Sequence, residues 1–274
     1  MPQRFGSVIA LGCLVTVAFP AVAGPIPDKN LETAVRAALQ IQDPKMELTD
    51  EKLLNLSFLN ANGKEVKDLT GLEKCKNLAE LQVMSNQIAD LKPLKDLGNL
   101  QSLHLAKNKI SDLAPLSGLT KLQYLDLTDN QVTKVEPLGG LTSLFALYLN
   151  GNQVSDLAPL GTLTRLSSLL LAKNQLKDVS PLTKVTRLNL LDLSDNQIDD
   201  ISPLCKQTEI SKLLLERNKI TDLTPMVNWA KADAEGQKRF APYLFLYLKG
   251  NPLSDAAKTN QIGALKTFNV RVDY

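Results

Sequence analysis

Most of this chain repeats one arrangement of apolar and polar positions every 22 residues. The unit reads L-x-x-L-x-L-x-x-N-x-I-x-D-L-x-P-L-x-x-L-x-x, as in Leu100, Leu103, Leu105, Asn108, Ile110, Asp112, Pro115 and Leu116. Its asparagine returns at Asn86, Asn108, Asn130, Asn152, Asn174, Asn196 and Asn218. Tandem matches in one register are the signature of a solenoid, in which each repeat is a single coil that hides its apolar side only against its neighbours. Within Leu103-His104-Leu105 the apolar positions alternate as in a β-strand, so Leu103 and Leu105 point inward while Ser102 and His104 point outward. Stacked in parallel, such strands bury a continuous leucine interior.

The other fixed positions follow from the turn out of the strand. The asparagine amide both donates and accepts, so it can serve backbone groups of adjacent coils and be tolerated inside. Proline, at Pro93, Pro115, Pro137, Pro159, Pro181, Pro203 and Pro225, fixes φ where the outer side of the coil begins. It favours a short 3₁₀ turn over a full helix, for which 22 residues leave little room. The fold class read from this pattern is an α/β solenoid with a parallel β concave face and a short 3₁₀ or irregular convex side, in eight to nine coils.

Both ends depart from the repeat, as solenoid ends must to shield the terminal core. Asp28 or Asn30 is placed to cap a helix whose apolar residues Leu31, Ala34, Val35, Ala38 and Leu39 have helical spacing. A second short helix is expected over Thr49 to Leu54, capped by Thr49 or Asp50. An irregular first coil, Leu56 to Asn77, turns at Asn62-Gly63. Asn251 follows Asn218 by 251 − 218 = 33 residues, so one coil carries an 11-residue insertion between Met226 and Tyr243. That insertion holds the lone tryptophan, Trp229, beside Lys238-Arg239, and reads as an elaborated end cap or a second contact surface. A helix near Ala256 to Leu265 and a strand over Thr267 to Val272 close the chain. Four segments result: 1–23, 24–55 as a helical cap, 56–242 as the repeats, and 243–274 as the last repeat and closing cap.

The first segment reads as an export leader. Arg4 supplies a short basic start, Val8 to Phe19 are largely apolar, and Pro20 precedes Ala21-Val22-Ala23, a cleavage signal that places the cut after Ala23. The apolar run is shorter than the ~18 residues of a membrane span. The mature chain is therefore expected to be secreted or periplasmic, without a transmembrane segment. Charge is nearly balanced, 31 Lys and Arg against 29 Asp and Glu, which argues against nucleic acid as a partner.

Export usually favours disulfides, yet Cys75 and Cys205 stand 205 − 75 = 130 residues apart. That is nearly six coils, or roughly 28 Å at ~4.8 Å per strand, whereas a disulfide needs Cα atoms within about 7 Å. Two separate thiols in or near the convex wall are expected.

The segment Ile26-Pro27-Asp28-Lys29-Asn30-Leu31-Glu32 and the stretch Asp68-Leu69-Thr70-Gly71-Leu72-Glu73 resemble the amino-terminal cap of bacterial internalin-like leucine-rich repeat proteins. The repeats with N-x-I-x-D-L-x-P-L are similar to the same family. The resemblance covers nearly all of the chain after the leader and implies a surface or secreted ligand-binding role. No immunoglobulin-like domain and no cell-wall sorting signal follow the repeats, so wall attachment is not expected.

Candidate chemistry is sparse. The one histidine, His104, stands on an outward strand position without a second histidine or a cysteine pair at zinc spacing, so neither metal nor cofactor is expected. Asp90, Asp112, Asp156, Asp178, Asp200 and Asp222 share one repeat position, with Lys134 breaking the series. Recurring once per coil, these carboxylates suit turn N–H groups better than calcium, which needs several oxygens converging in one loop. No catalytic residue is identified and an enzyme is not expected.

What remains is the concave face. Its candidate binding residues are His104, Tyr124, Asp126, Tyr148, Leu170, Leu190, Asp192, Leu214, Phe245 and Tyr247, at outward positions where core packing does not dictate identity. Leu170, Leu190 and Leu214 with Tyr124 and Tyr148 form an apolar stripe rimmed by Asp126, Asp129, Asp192 and Asp195. Exposed apolar patches with a polar rim mark protein interfaces. A monomer that recognises a protein or peptide is the expected function; the alternatives are a periplasmic or secreted inhibitor or structural scaffold of an enzyme, which would use the same surface, and a cytoplasmic scaffold that keeps its leader. Coils 108–152 also echo coils 174–218, as in Leu105-Ala106-Lys107-Asn108 beside Leu171-Ala172-Lys173-Asn174, which points to a three-coil duplication.

Overall fold

A computed structural model describes residues 25–274; the leader and its cleavage site lie outside the described residues. Ten three-residue strands form one parallel sheet in chain order: β1 (Phe58–Asn60), β2 (Glu80–Gln82), β3 (Ser102–His104), β4 (Tyr124–Asp126), β5 (Ala146–Tyr148), β6 (Ser168–Leu170), β7 (Leu190–Asp192), β8 (Lys212–Leu214), β9 (Phe245–Tyr247) and β10 (Arg271–Asp273). The middle residue of each interior strand is a leucine, and these pair in one line, Leu59↔Leu81, Leu81↔Leu103, Leu103↔Leu125 and onward. All of them are fully buried. Each leucine is worth about 2 kcal/mol of transfer free energy, and the line continues unbroken because no coil changes register.

The asparagines do the work expected of them. Asn108 Nδ2 donates to Val83 O at 2.9 Å in the preceding coil and to Leu105 O at 3.0 Å in its own, while its Oδ1 accepts from Ile88 N at 3.0 Å. Asn251 keeps this pattern across the inserted coil, donating to Leu215 O and Leu248 O and accepting from Ile220 N. The residue just before each repeat asparagine takes left-handed backbone: Ser85, Lys107, Asp129, Lys173, Asp195 and Arg217 at φ between 51° and 58°, and Gly151 at 66°. On the convex side, prolines sit inside short 3₁₀ turns such as Lys92–Leu94, Ala114–Leu116 and Ser202–Lys206. The recurring aspartates accept from the N–H two residues on: Asp90 from Lys92, Asp112 from Ala114, Asp156 from Ala158, Asp178 from Ser180, Asp200 from Ser202 and Asp222 from Thr224.

Helix α1 (Lys29–Ala38) is capped by Asp28, whose Oδ1 accepts from Asn30 N and Leu31 N; Oδ2 accepts from Lys67 N and Asp68 N in the first coil. One carboxylate thus caps the helix and ties it to the sheet. Helix α2 (Asp50–Leu53) is capped by Thr49.

Three details go beyond the sequence reading, which expected a closing strand and an elaborated end cap or second contact surface without their packing. The sheet has ten strands because β10 adds in parallel to β9, pairing Val272 with Leu246. The inserted coil replaces its 3₁₀ turn with a 12-residue helix, α3 (Thr224–Glu235), starting at the same proline position. Trp229 on α3 is not a contact-surface residue: it is buried, its ring stacks on Phe240 at 3.9 Å, and its Nε1 donates to Gln207 O at 3.2 Å. The carboxyl end closes with a π-turn (Ala257–Gln261) running into α4 (Ile262–Thr267). Among the described residues no helix is long and apolar enough to cross a membrane.

Candidate functional site

Each strand projects its first and third residues to the open side of the sheet, so the inner wall is two rows of side chains about 4.8 Å apart along the stack. One row runs Ser102, Tyr124, Ala146, Ser168, Leu190, Lys212, Phe245, and the other His104, Asp126, Tyr148, Leu170, Asp192, Leu214, Tyr247. The ten sequence-predicted site residues fall on these rows in three groups.

The first group is aromatic and acidic. The His104 and Tyr124 rings lie 4.5 Å apart, tilted by 31°, and Tyr124 meets Tyr148 edge-on at 5.3 Å and 80°. Such tilted and edge-on pairs suit the ring quadrupoles. His104 Nε2 is 2.9 Å from Ser102 Oγ and 3.7 Å from Glu80 Oε1. The Tyr124 hydroxyl is pushed up to about 12 by burial, then by the charge of Asp126 and the neighbouring Tyr148. Asp126 is paired in register with both His104 and Tyr148.

The second group is aliphatic. Leu170 pairs with Tyr148 on one side and Asp192 on the other, and Leu214 stands beyond Asp192. Leu190 occupies the parallel row, so the apolar stripe zigzags between rows and is interrupted by Asp192. All three leucines are half-buried, held up by the buried leucine line beneath them.

The third group, Phe245 and Tyr247, is separated from the stripe's aromatics by these coils and is covered by cations. Lys212 Nζ lies 5.4 Å from the Tyr247 ring and the Arg271 guanidinium 4.5 Å from that of Phe245. The structure therefore assembles two neighbouring patches and one distinct aromatic–cation end.

Two aspartates depart from the expectation that these positions are free of scaffold duty. Asp126 is buried at 9% exposure and its Oδ1 accepts from Thr128 N at 2.9 Å; Asp192 Oδ1 accepts from Ser194 N at 3.0 Å. Each closes the turn at the end of its strand. The sequence reading also missed Phe145, which is 59% exposed one residue before β5. Its signal was available: Gln101, Gln123, Ser167 and Asn189 hold the same repeat position, and a phenylalanine there has no packing reason.

Elsewhere the chemistry is quiet. The Cys75 and Cys205 thiols are free, and burial, with Glu73 and Asp200 respectively, pushes both up to about 12, so they stay protonated near neutral pH. Among the described residues no group of His, Cys, Asp and Glu is placed to hold a metal ion. A hollow of about 590 Å³ lies between α1 and β1, lined by Ala34, Ala37, Ala38 and Phe58, with Lys64 as its only titratable group. It is at the amino-terminal end, away from the aromatic cluster.

Comparison with known proteins agrees with this architecture. The family model described as Leucine Rich repeats (2 copies) matches residues 98–140 and 164–206, two stretches 164 − 98 = 66 residues, or three coils, apart. The search among curated proteins gives no match. A leucine-rich repeat protein from Leptospira interrogans shares the fold at 23% identity and TM-score 0.70, covering 82% of this chain and 62% of its own. Internalin C2 from Listeria monocytogenes is 36% identical, covers 75% of this chain and 91% of its own, and superposes with TM-score 0.73. With that identity on the same solenoid, the chain belongs to the internalin family of bacterial leucine-rich repeat proteins.

Proposed function

We propose that this chain is an exported, non-catalytic binding module that recognises a protein or peptide through the concave face of its sheet, acting as a monomer. The internalin-like fold is that of a protein-interaction module. The observation that carries the finer reading is that Tyr124, Tyr148, Leu170, Leu190 and Leu214 stand half-buried on the open side of the sheet, where the buried leucine line places no demand on their identity. Apolar groups kept at the wet wall are what an interface uses, and Tyr contributes large contact area with few rotatable bonds.

The test compares the parent with a Tyr148→Ala, Leu170→Asp double variant as bait in exported-protein fractions. Loss of the parent's specific partners is the expected result; equal recovery of the same partners would remove the concave-face assignment and leave the fold untouched. Export is tested separately by sequencing the amino terminus of the secreted chain, which is expected to begin at Gly24; a secreted chain still carrying Met1 to Ala23 would overturn the cleavage site.

A further inference from the structure

We infer that the aromatic group on β3 to β5 is a site for a cationic side chain, an arginine in particular, carried by the partner; this rests on the concave-face reading above. Aromatic faces attract a cation through their quadrupoles, most strongly where a carboxylate adds its charge. Tyr124 and Tyr148 stand nearly perpendicular at 5.3 Å, and Asp126 lies in the row that Tyr148 shares, next to it in register.

The charge around these rings is uncompensated. Asp126 Oδ1 is held by Thr128 N, and its second oxygen accepts no hydrogen bond among the described residues. Asp129 leans over Gly151, where no side chain stands in its way. Among the described residues no Lys, Arg or His nitrogen lies within 4.0 Å of either carboxylate, Lys107 of the adjoining coil included.

The duplicated coils supply an internal control. Adding 66 to each number maps His104, Tyr124, Asp126 and Tyr148 onto Leu170, Leu190, Asp192 and Leu214, and maps Asp129 and Gly151 onto Asp195 and Arg217. There the counterpart of Asp129 is neutralised: Arg217 Nε donates to Asp195 Oδ1 at 2.5 Å and Nη2 to Oδ2 at 2.7 Å, while Asp192, like Asp126, has no Lys, Arg or His nitrogen within 4.0 Å among the described residues. The copy with aliphatic walls carries its own arginine; the copy with aromatic walls has an acid and a glycine, and lacks one. An incoming guanidinium fits that deficit in charge and, by stacking, in shape. The cation-covered rings of Phe245 and Tyr247 show the same attraction already satisfied within the chain.

The experiment titrates the protein with N-acetyl-arginine amide and, in parallel, with its neutral isostere N-acetyl-citrulline amide, following the tyrosine ring signals by NMR. The arginine probe is expected to move the Tyr124 and Tyr148 signals to saturation and the citrulline probe to leave them in place. Asp126→Asn and Tyr124→Leu should each weaken the arginine probe roughly tenfold. Both variants should fold, because asparagine at 126 still accepts from Thr128 N and leucine is the residue the duplicate carries at 190; an unchanged melting temperature checks this. Grafting Leu170→His, Leu190→Tyr, Leu214→Tyr and Arg217→Gly should create a second saturable site. Equal binding of the two probes, or parental binding of the arginine probe by both variants, overturns the inference. Failure of the arginine probe while the Tyr148→Ala, Leu170→Asp variant still loses its partner overturns the cation site alone. Specific arginine binding with undiminished partner recovery by that variant overturns the concave-face reading and, with it, the partner as the source of the cation.

Discussion

Two stretches of the inner wall, three coils each, share a backbone and differ in nearly everything they show to solvent. Around Asp126 stand His104, Tyr124 and Tyr148; around Asp192 stand Leu170, Leu190 and Leu214. Both aspartates close the turn after their strand in the same way, and the asparagines beneath them make the same three contacts. The difference lies only in groups the core does not use. A duplicated unit therefore separates two kinds of requirement: what survives in both copies is structural, and what diverges is open to selection for binding.

That division can be broken at the asparagines. Asn130→Ala and Asn196→Ala each leave one buried N–H without its acceptor and take one of two donors from each of two carbonyls, which keep the asparagine of a neighbouring coil, so each should cost about 2 kcal/mol, with the two values within about 0.5 kcal/mol of one another. Urea unfolding measures both. A gap above about 1 kcal/mol would mean that the copies are not equivalent scaffolds. The same comparison on a smaller scale is Asp126→Ala against Asp192→Ala, each losing one turn hydrogen bond and each expected to cost about 1 kcal/mol.

Smaller again is the ion pair that only one copy has. Arg217→Ala should cost about 0.5 kcal/mol, because the pair is bidentate but the arginine side chain is 53% exposed. The hydrogen bond and charge of Arg217 hold the Asp195 carboxyl below its ordinary value despite slight burial. A carboxyl lowered in the folded state contributes stability above its unfolded pKa and loses it as pH falls through the folded one. The difference between parent and variant should thus be present at neutral pH and close in strong acid. A difference that stays the same from neutral pH into strong acid would remove the Asp195–Arg217 pair as its source.

The solenoid was legible in the sequence because every coil restates it: the position of Leu103 is argued again by Leu125, Leu147 and Leu169. Asp28 as the cap of α1 and Pro225 as the start of a convex element were readable for the same local reasons. Features that occur once were not. Trp229 has no repeat to say which way it faces, and its burial depends on Phe240 folding back eleven residues later. The pairing of β10 depends on α4 delivering the chain to the sheet edge, which no spacing encodes. On the inner wall the outward positions were readable from alternation, but the aromatic cluster joins residues from three coils, and Phe145 was passed over because it precedes the strand rather than lying in it.

The finest test of the contrast reads one proton. The Tyr124 hydroxyl titrates up to about 12 against an ordinary 10.0, first through burial and then through Asp126, whose carboxylate opposes a phenolate nearby. Asp126→Asn removes that charge while keeping the turn hydrogen bond, so the hydroxyl should move down toward 10.0 without reaching it, since the burial remains. Asp192→Asn, one duplicate away, should leave it where it was. The sign also fixes the effect on stability: a folded value above the unfolded one contributes below about pH 10 and is lost as pH rises toward 12. Carbon-13 shifts of the Tyr124 ring follow the titration directly. If Asp126→Asn leaves the midpoint unmoved, the carboxylate does not sense the ring, and the aromatic and acidic parts of that copy are neighbours in register without being one site.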